Sequence, residues 1–165
     1  MAEEKDKDKE KEKDMTKEYE ALKKKYYLPE LKELDKEFCI GKLEDTQFIL
    51  RTILGKIMDR VELVFKALSD IVQPAENNLA TMYEAEVFSD DEKKHIFDLM
   101  KKLAYTHRDL IIKDFEYSDD TAAVSILKSY KEWKEMKKDV LRIMEKLRDS
   151  WKSDNKSKAE EGYFG

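Results

Sequence analysis

The chain has 165 residues, of which 43% are charged and 41% hydrophobic, and its formal net charge is −5. This length predicts one domain, and only four Gly and two Pro argue against a turn-rich β-sandwich and favour long helices. The single cysteine, Cys39, excludes an internal disulfide framework and any CxxC metal or redox motif.

The first elements in the chain are a charged tail and two short helices. Residues 1–14, MAEEKDKDKEKEKD, contain no apolar run and are predicted to be disordered. Apolar residues then recur at helical spacing from Met15 to Tyr26, and Pro29 separates this helix from a second one. The second helix is predicted to end near Gly41, with Cys39 buried as a small hydrophobic residue.

The strongest helical signal covers about residues 46–72. Its apolar residues alternate steps of four and three, which predicts one wide face directed at the core. These residues are Leu50, Leu54, Ile57, Val61, Val64, Leu68 and Ile71. The pair Gln73-Pro74 is predicted to end or kink this helix.

Three more helices follow. A short one is predicted over about 75–87, with Ala75, Leu79, Met82 and Glu86 on its inner face. The sequence SDDE, starting at Ser89, is a capping box that opens a helix over about 90–116. The YSDDT segment gives the same capping chemistry at its serine and opens a helix over about 119–151.

These elements predict an all-α antiparallel helical bundle. It has three long helices, at about 46–72, 90–116 and 119–151, and two or three short helices joined by short loops. The predicted domain covers residues 15–151, and residues 152–165 form a polar C-terminal tail with an aromatic tip, Tyr163 and Phe164.

Glu92 and His95 form an E-x-x-H pattern, which places a carboxylate and an imidazole on one helix face, as in di-iron bundles. The second such motif is absent, because the residue three before His107 is Ala104. Glu86, Glu92 and His95 are therefore weak candidates for one metal ion, and our prediction is that the protein has no metal, no other cofactor and no catalytic residues.

His107 lies among Leu103, Leu110 and Ile111 on a predicted helix. A phosphotransfer histidine would need to be exposed and next to a glycine, and no glycine is nearby. The favoured interpretation is an inward-facing histidine that bonds a neighbour such as Asp114, Glu86 or a backbone carbonyl.

The last long helix has a basic outer face. Residues 128–152 carry a net charge of +4, against −9 for the rest of the chain. The basic residues that gather on one side of this helix are Lys131, Lys134, Lys138, Arg142 and Lys146. A basic face can bind phosphates or an acidic surface, but interleaved acidic residues and only five arginines argue against a nucleic-acid groove.

A soluble cytoplasmic protein is predicted, because the N-terminus has no apolar signal core and no apolar run approaches the ~20 residues of a membrane span. Lysine outnumbers arginine 28 to 5, which is a bias of hyperthermophiles and also of AT-rich genomes. A thermophilic source, archaeal for example, is therefore a hypothesis.

The function predicted from these features is non-enzymatic binding of another macromolecule, and a protein partner is favoured. The basic face and the aromatic tip, Tyr163 and Phe164, are the candidate partner-binding residues. The first alternative is an RNA- or ribosome-associated factor that uses the basic face, and the second is a metal-binding bundle. The wide apolar face of the 46–72 helix leaves a homodimer open.

Overall fold

The computed structural model describes residues 17–41 and 48–160, with side chains through residue 152. It confirms the all-α helical bundle, because this part of the chain contains helices and no strand. The helices are α1 over 17–26, α2 Leu31–Phe38, α3 Ile49–Val72, α4 Leu79–Glu86, α5 Asp90–Phe115 and α6 Asp119–Glu160. α3 packs against α5 and α6. No helix among the described residues has the length and apolar character needed to cross a bilayer.

The chain divides into two compact units. Unit 1 comprises Met1–Leu63 with Leu103–Glu132, and unit 2 comprises Val64–Lys102 with Trp133–Gly165. The three long helices each contribute residues to both units. The predicted tail at 1–14 lies outside the described residues, so its disorder stays a prediction.

Unit 1 is organised around the first half of α3. The predicted apolar stripe is confirmed here, since Leu50, Leu54, Ile57 and Val61 are almost fully buried. Tyr19 of α1 is buried, and its hydroxyl donates a 2.7 Å hydrogen bond to the carbonyl oxygen of Pro29, in the connection between α1 and α2. Other core residues of unit 1 come from α5 and α6 and include Leu103, Leu110, Ala122, Ala123 and Ile126.

The prediction that Cys39 is buried is wrong, because its side chain is exposed. It is the C-cap of α2 and has a left-handed backbone, with φ at 53°. Gly41, the predicted stop, also has a positive φ, but α2 has already ended at Phe38. The cap therefore falls on a non-glycine residue, which sequence preference alone does not indicate.

The core of unit 2 is formed by the last part of α3, the first half of α5 and the part of α6 that follows Glu132. Leu68 and Ile71 of α3 are fully buried, whereas Val64 of the predicted stripe is only half-buried. The other large core residues of this unit include Phe88, Ile96, Leu99, Met100, Trp133, Met136, Val140, Ile143 and Leu147.

The short α4 begins at Leu79, four residues later than predicted, because the Asn78 side chain accepts from the backbone N–H groups of Ala80 and Thr81. Its predicted inner face is wrong. Leu79 and Met82 are exposed, as is Glu86, and Ala85 is the buried residue.

α6 continues to Glu160, nine residues past the predicted end near 151. No Gly or Pro occurs between Asp119 and Glu160, so no local breaker ends the helix at Trp151. The predicted polar tail from residue 152 therefore starts as helix.

Candidate interaction groove

A groove of about 400 Å³ lies between the first turns of α5 and the middle of α6, entirely within unit 2. Its floor is apolar and is formed by the buried side chains of Phe88, Ile96 and Ile143. Its rim is charged and consists of Asp91, Glu92, His95, Arg142 and Lys146. Four of these rim residues are candidates predicted from two separate patterns, the E-x-x-H motif and the basic face.

Glu92 is positioned by the capping box predicted at the start of α5. The Ser89 hydroxyl accepts from the backbone N–H of Glu92 at 3.3 Å, and the Ser89 N–H donates to Glu92 Oε2 at 2.9 Å. The other carboxylate oxygen, Oε1, accepts from Lys146 Nζ at 2.5 Å. The hydrogen bond from Lys146, followed by that from the Ser89 backbone, lowers the pKa of Glu92 to about 2.

His95 lies one turn along α5 and faces a second cation. Its Nε2 atom is 3.3 Å from Arg142 Nη2 and 3.7 Å from Asp139 Oδ1. Arg142 Nη2 is itself 3.3 Å from Asp139 Oδ1, so a single carboxylate serves both groups. In the tautomer that carries no hydrogen on Nε2, this atom can accept from the guanidinium.

The predicted metal candidates are not arranged as ligands. The Glu92 carboxylate is bound to an ammonium group, and His95 faces a guanidinium, so both would have to leave cationic partners to bind a metal ion. Glu86 is exposed at the end of α4. In residues 17–41 and 48–160, no three His, Cys, Asp or Glu side chains are grouped closely enough to hold an ion.

The predicted basic face is exposed along α6, but acidic groups partly neutralise it. Arg142 pairs with Asp139 and Lys146 with Glu92. Lys134 and Lys138 are exposed in unit 2, and Lys131 is exposed in unit 1. Two of the five predicted cations thus serve as rim residues of the groove.

His107 is half-buried, so the prediction that it faces the core is only partly right. Asp114, a predicted partner, instead binds Arg51. The buried polar residue on this part of α5 is the adjacent Thr106, whose hydroxyl donates to Glu132 Oε2 at 3.2 Å. Leu103 and Leu110 are buried as predicted, so the predicted core face of α5 is confirmed and only its edge lies at Thr106 rather than at His107.

Trp151 of α6 is held to α4 within unit 2. The Tyr83 and Trp151 rings lie 4.7 Å apart between centroids, and Trp151 Nε1 donates to Glu84 Oε1 at 3.0 Å. The predicted aromatic tip, Tyr163 and Phe164, lies outside the described residues, and its docking role stays a prediction.

Sequence reasoning missed the exposed apolar residues Tyr105, Ile112 and Phe115 of α5, because it considered only the apolar residues on the core-facing side of this helix. A separate count of the opposite helix face would have found them.

No family model, curated protein or solved structure matches this chain.

Proposed function

We propose that this chain is a non-enzymatic interaction protein and that the α5–α6 groove of unit 2 binds a segment of a partner protein. The observation that carries the proposal is the combination of an apolar floor with a rim of both charge signs. An apolar side chain from the partner would enter the groove, and polar groups beside it would bond with the rim.

Charge balance at the rim favours a protein segment over nucleic acid. Lys146 and Arg142 are already paired with Glu92 and Asp139, so a phosphate would have to approach two carboxylates. A peptide can carry both acidic and basic groups, which can bind the basic and the acidic residues of the rim. An apolar pocket with a small number of placed polar groups is also the common design of ligand-binding sites.

The groove is large enough for one or two side chains of a partner. At about 400 Å³ it lies near the lower end of ligand-pocket volumes, which run from about 300 to 1,000 Å³. Arg142 keeps 70% of its side chain accessible, so this rim residue can contact a partner. RNA binding by the basic face remains the alternative.

Photo-crosslinking tests this proposal. A benzophenone amino acid replaces Arg142 in the full chain, and in a control it replaces Leu141, which is exposed but does not line the groove. The expected result, in lysate of the native source, is one protein product from position 142 that nuclease leaves intact and that position 141 does not give.

Two outcomes would contradict the proposal. A nuclease-sensitive product, strengthened at about 50 mM salt, would transfer the function to RNA. Equal products from both positions would show that the groove does not select a partner. The same capture with a chain ending at Glu160 tests the predicted aromatic tip separately, because this truncation leaves α6 complete.

A further inference from the structure

α5 presents a second apolar surface, within unit 1. Tyr105, Arg108, Ile112 and Phe115, here called the α5 seam, are all exposed. The exposed fractions are 65% for Tyr105, 52% for Ile112 and 85% for Phe115. The intervals between the four residues are three, four and three, which is the spacing by which one helix presents a seam to another helix.

The seam is not part of the core of unit 1. The core face of the same helix segment is formed by Leu103, Thr106 and Leu110, all of which are buried. Large exposed apolar residues that recur on one side of a helix are a mark of an interaction site rather than of folding. The seam residues are therefore available without unfolding the unit.

One end of the seam is held in place by α6. Lys128 Nζ lies 5.2 Å from the centroid of the Tyr105 ring and also binds Asp109 Oδ2 at 3.0 Å. This contact limits the motion of the Tyr105 side chain before any partner arrives. Less rotamer freedom is then lost on binding, which favours association.

Arg108 is the uncompensated charge of the seam. The neighbouring charges of α5 are paired: Asp109 with Lys128, Asp114 with Arg51, and Lys113 with Glu116. Arg108 makes no ion pair with any residue that the structure describes. A partner would gain most by placing a carboxylate opposite this guanidinium, since Arg binds carboxylates in a bidentate manner.

We propose that the α5 seam docks an amphipathic helix of a partner protein, with apolar residues against Tyr105, Ile112 and Phe115 and an Asp or Glu against Arg108. This surface belongs to unit 1, so the proposal does not depend on the groove of unit 2. Tyrosine, arginine and phenylalanine are also residue types enriched in protein interfaces.

The size of the seam favours a single helix over a second copy of the chain. Four residues over three turns extend roughly 15 Å along α5. Their side chains can cover only several hundred Å², with aromatic residues contributing roughly 150–250 Å² each at most. A stable dimer interface buries about 800 Å² on each partner, which is more than this seam provides.

The test uses the full chain and two labelled helical peptides of about three heptads, with leucine at the a and d positions. The peptides differ at one central a position, which is glutamate in one and lysine in the other. In fluorescence anisotropy, we expect the glutamate peptide to bind about tenfold more tightly than the lysine peptide. Arg108→Glu should reverse this order, and Phe115→Ser should weaken both peptides.

Leu63→Ser is the matched control, because Leu63 is 60% exposed on α3 and lies outside the seam. It should leave both affinities unchanged, and circular dichroism should show that all variants fold. Equal affinities for the two peptides, no binding of either, or an order that Arg108→Glu does not reverse would overturn the proposal. A dimer in sedimentation that Phe115→Ser dissociates would replace the partner helix with a second copy, and would also overturn it.

Discussion

Arg51 and Asp114 form a two-pronged ion pair between α3 and the end of α5. Arg51 Nε donates to Asp114 Oδ1 at 2.7 Å, and Nη2 donates to Oδ2 at 3.1 Å. The two residues are 63 positions apart, so the pair connects α3 to α5 within unit 1. The guanidinium also lies 5.4 Å from the centroid of the Tyr117 ring, whose edge packs against Phe48.

Replacing Arg51 should make the stability of the protein vary less with pH in the acid range. The Arg51 hydrogen bond lowers the pKa of Asp114 below its usual 3.8, so the pair stabilises the fold above that pH and loses its effect as pH falls through the lower folded value. We expect Arg51→Ala to lower Tm by a few degrees at pH 7 and by less at pH 3. Arg51→Lys should restore only part of the loss, since lysine cannot bind both oxygens in a fork.

Thermal melts across this pH range measure the effect. Lys56→Ala is the control, because the Lys56–Asp59 pair at 3.9 Å lies along one helix and joins no two elements. An Arg51→Ala deficit that stays constant from pH 7 to pH 3 would contradict the assigned role of Asp114.

Glu92 should titrate near pH 2 in the folded protein, where Lys146 and the Ser89 backbone stabilise its carboxylate. Carboxyl-carbon NMR follows this group directly. Lys146→Gln should move the midpoint up toward the usual 4.5, because the largest cause of the shift is removed. Since the folded pKa is the lower one, the contribution of Glu92 to stability is present above 4.5 and is lost as pH falls toward 2.

Lys94→Gln is the comparison for this titration. Lys94 pairs with Asp91 on the same helix rather than with Glu92, so the Glu92 midpoint should not move. A midpoint near 4.5 in the unmodified chain would show that Lys146 does not bind Glu92 in solution.

Val61→Asp should unfold unit 1, whereas Leu63→Asp should be tolerated. Val61 is 1% exposed, and an unpaired charge there would cost about 3–5 kcal/mol. Leu63 is 60% exposed, so Leu63→Asp should change stability by less than about 0.5 kcal/mol. Urea unfolding of both variants measures the difference, and similar midpoints would place the core stripe on the wrong face of α3.

Gly55→Ala should stabilise the protein by about 0.5–1 kcal/mol, because alanine is the better helix former. Gly55 lies inside α3, and a Cβ added there would have no neighbouring atom within 4 Å. Urea unfolding again gives the value. A loss of stability would mean that the position is more crowded than the structure shows.

Local chemistry in the sequence was enough to predict α3, the start of α5 and the all-α class. The four-and-three spacing from Leu50 to Val61 and the Ser89–Glu92 capping box both act within one helix, and the structure confirms both. The start of α4 was missed because its cap is Asn78, inside a segment that also continues the helical spacing.

The candidate groove could not be predicted, because it depends on which helix faces which. Glu92 pairs with Lys146, 54 positions away, and His95 faces Arg142, 47 positions away. Each residue was found from its own pattern, but periodicity along a helix carries no information about the register between two helices. The exposed α5 seam was missed for a related reason, since apolar spacing alone does not distinguish a core face from an outer one.

The uninterrupted course of α6 bears on how cooperatively the protein unfolds. This helix supplies residues to both units, and the change of unit between Glu132 and Trp133 falls inside a run without Gly or Pro. Opening one unit would leave the last backbone hydrogen bonds of the other at a frayed helix end, where they are weakest. Amide exchange around this junction should therefore report the opening of either unit. A core mutation in one unit should accelerate exchange in the helical turn of α6 that adjoins the junction on the side of the other unit.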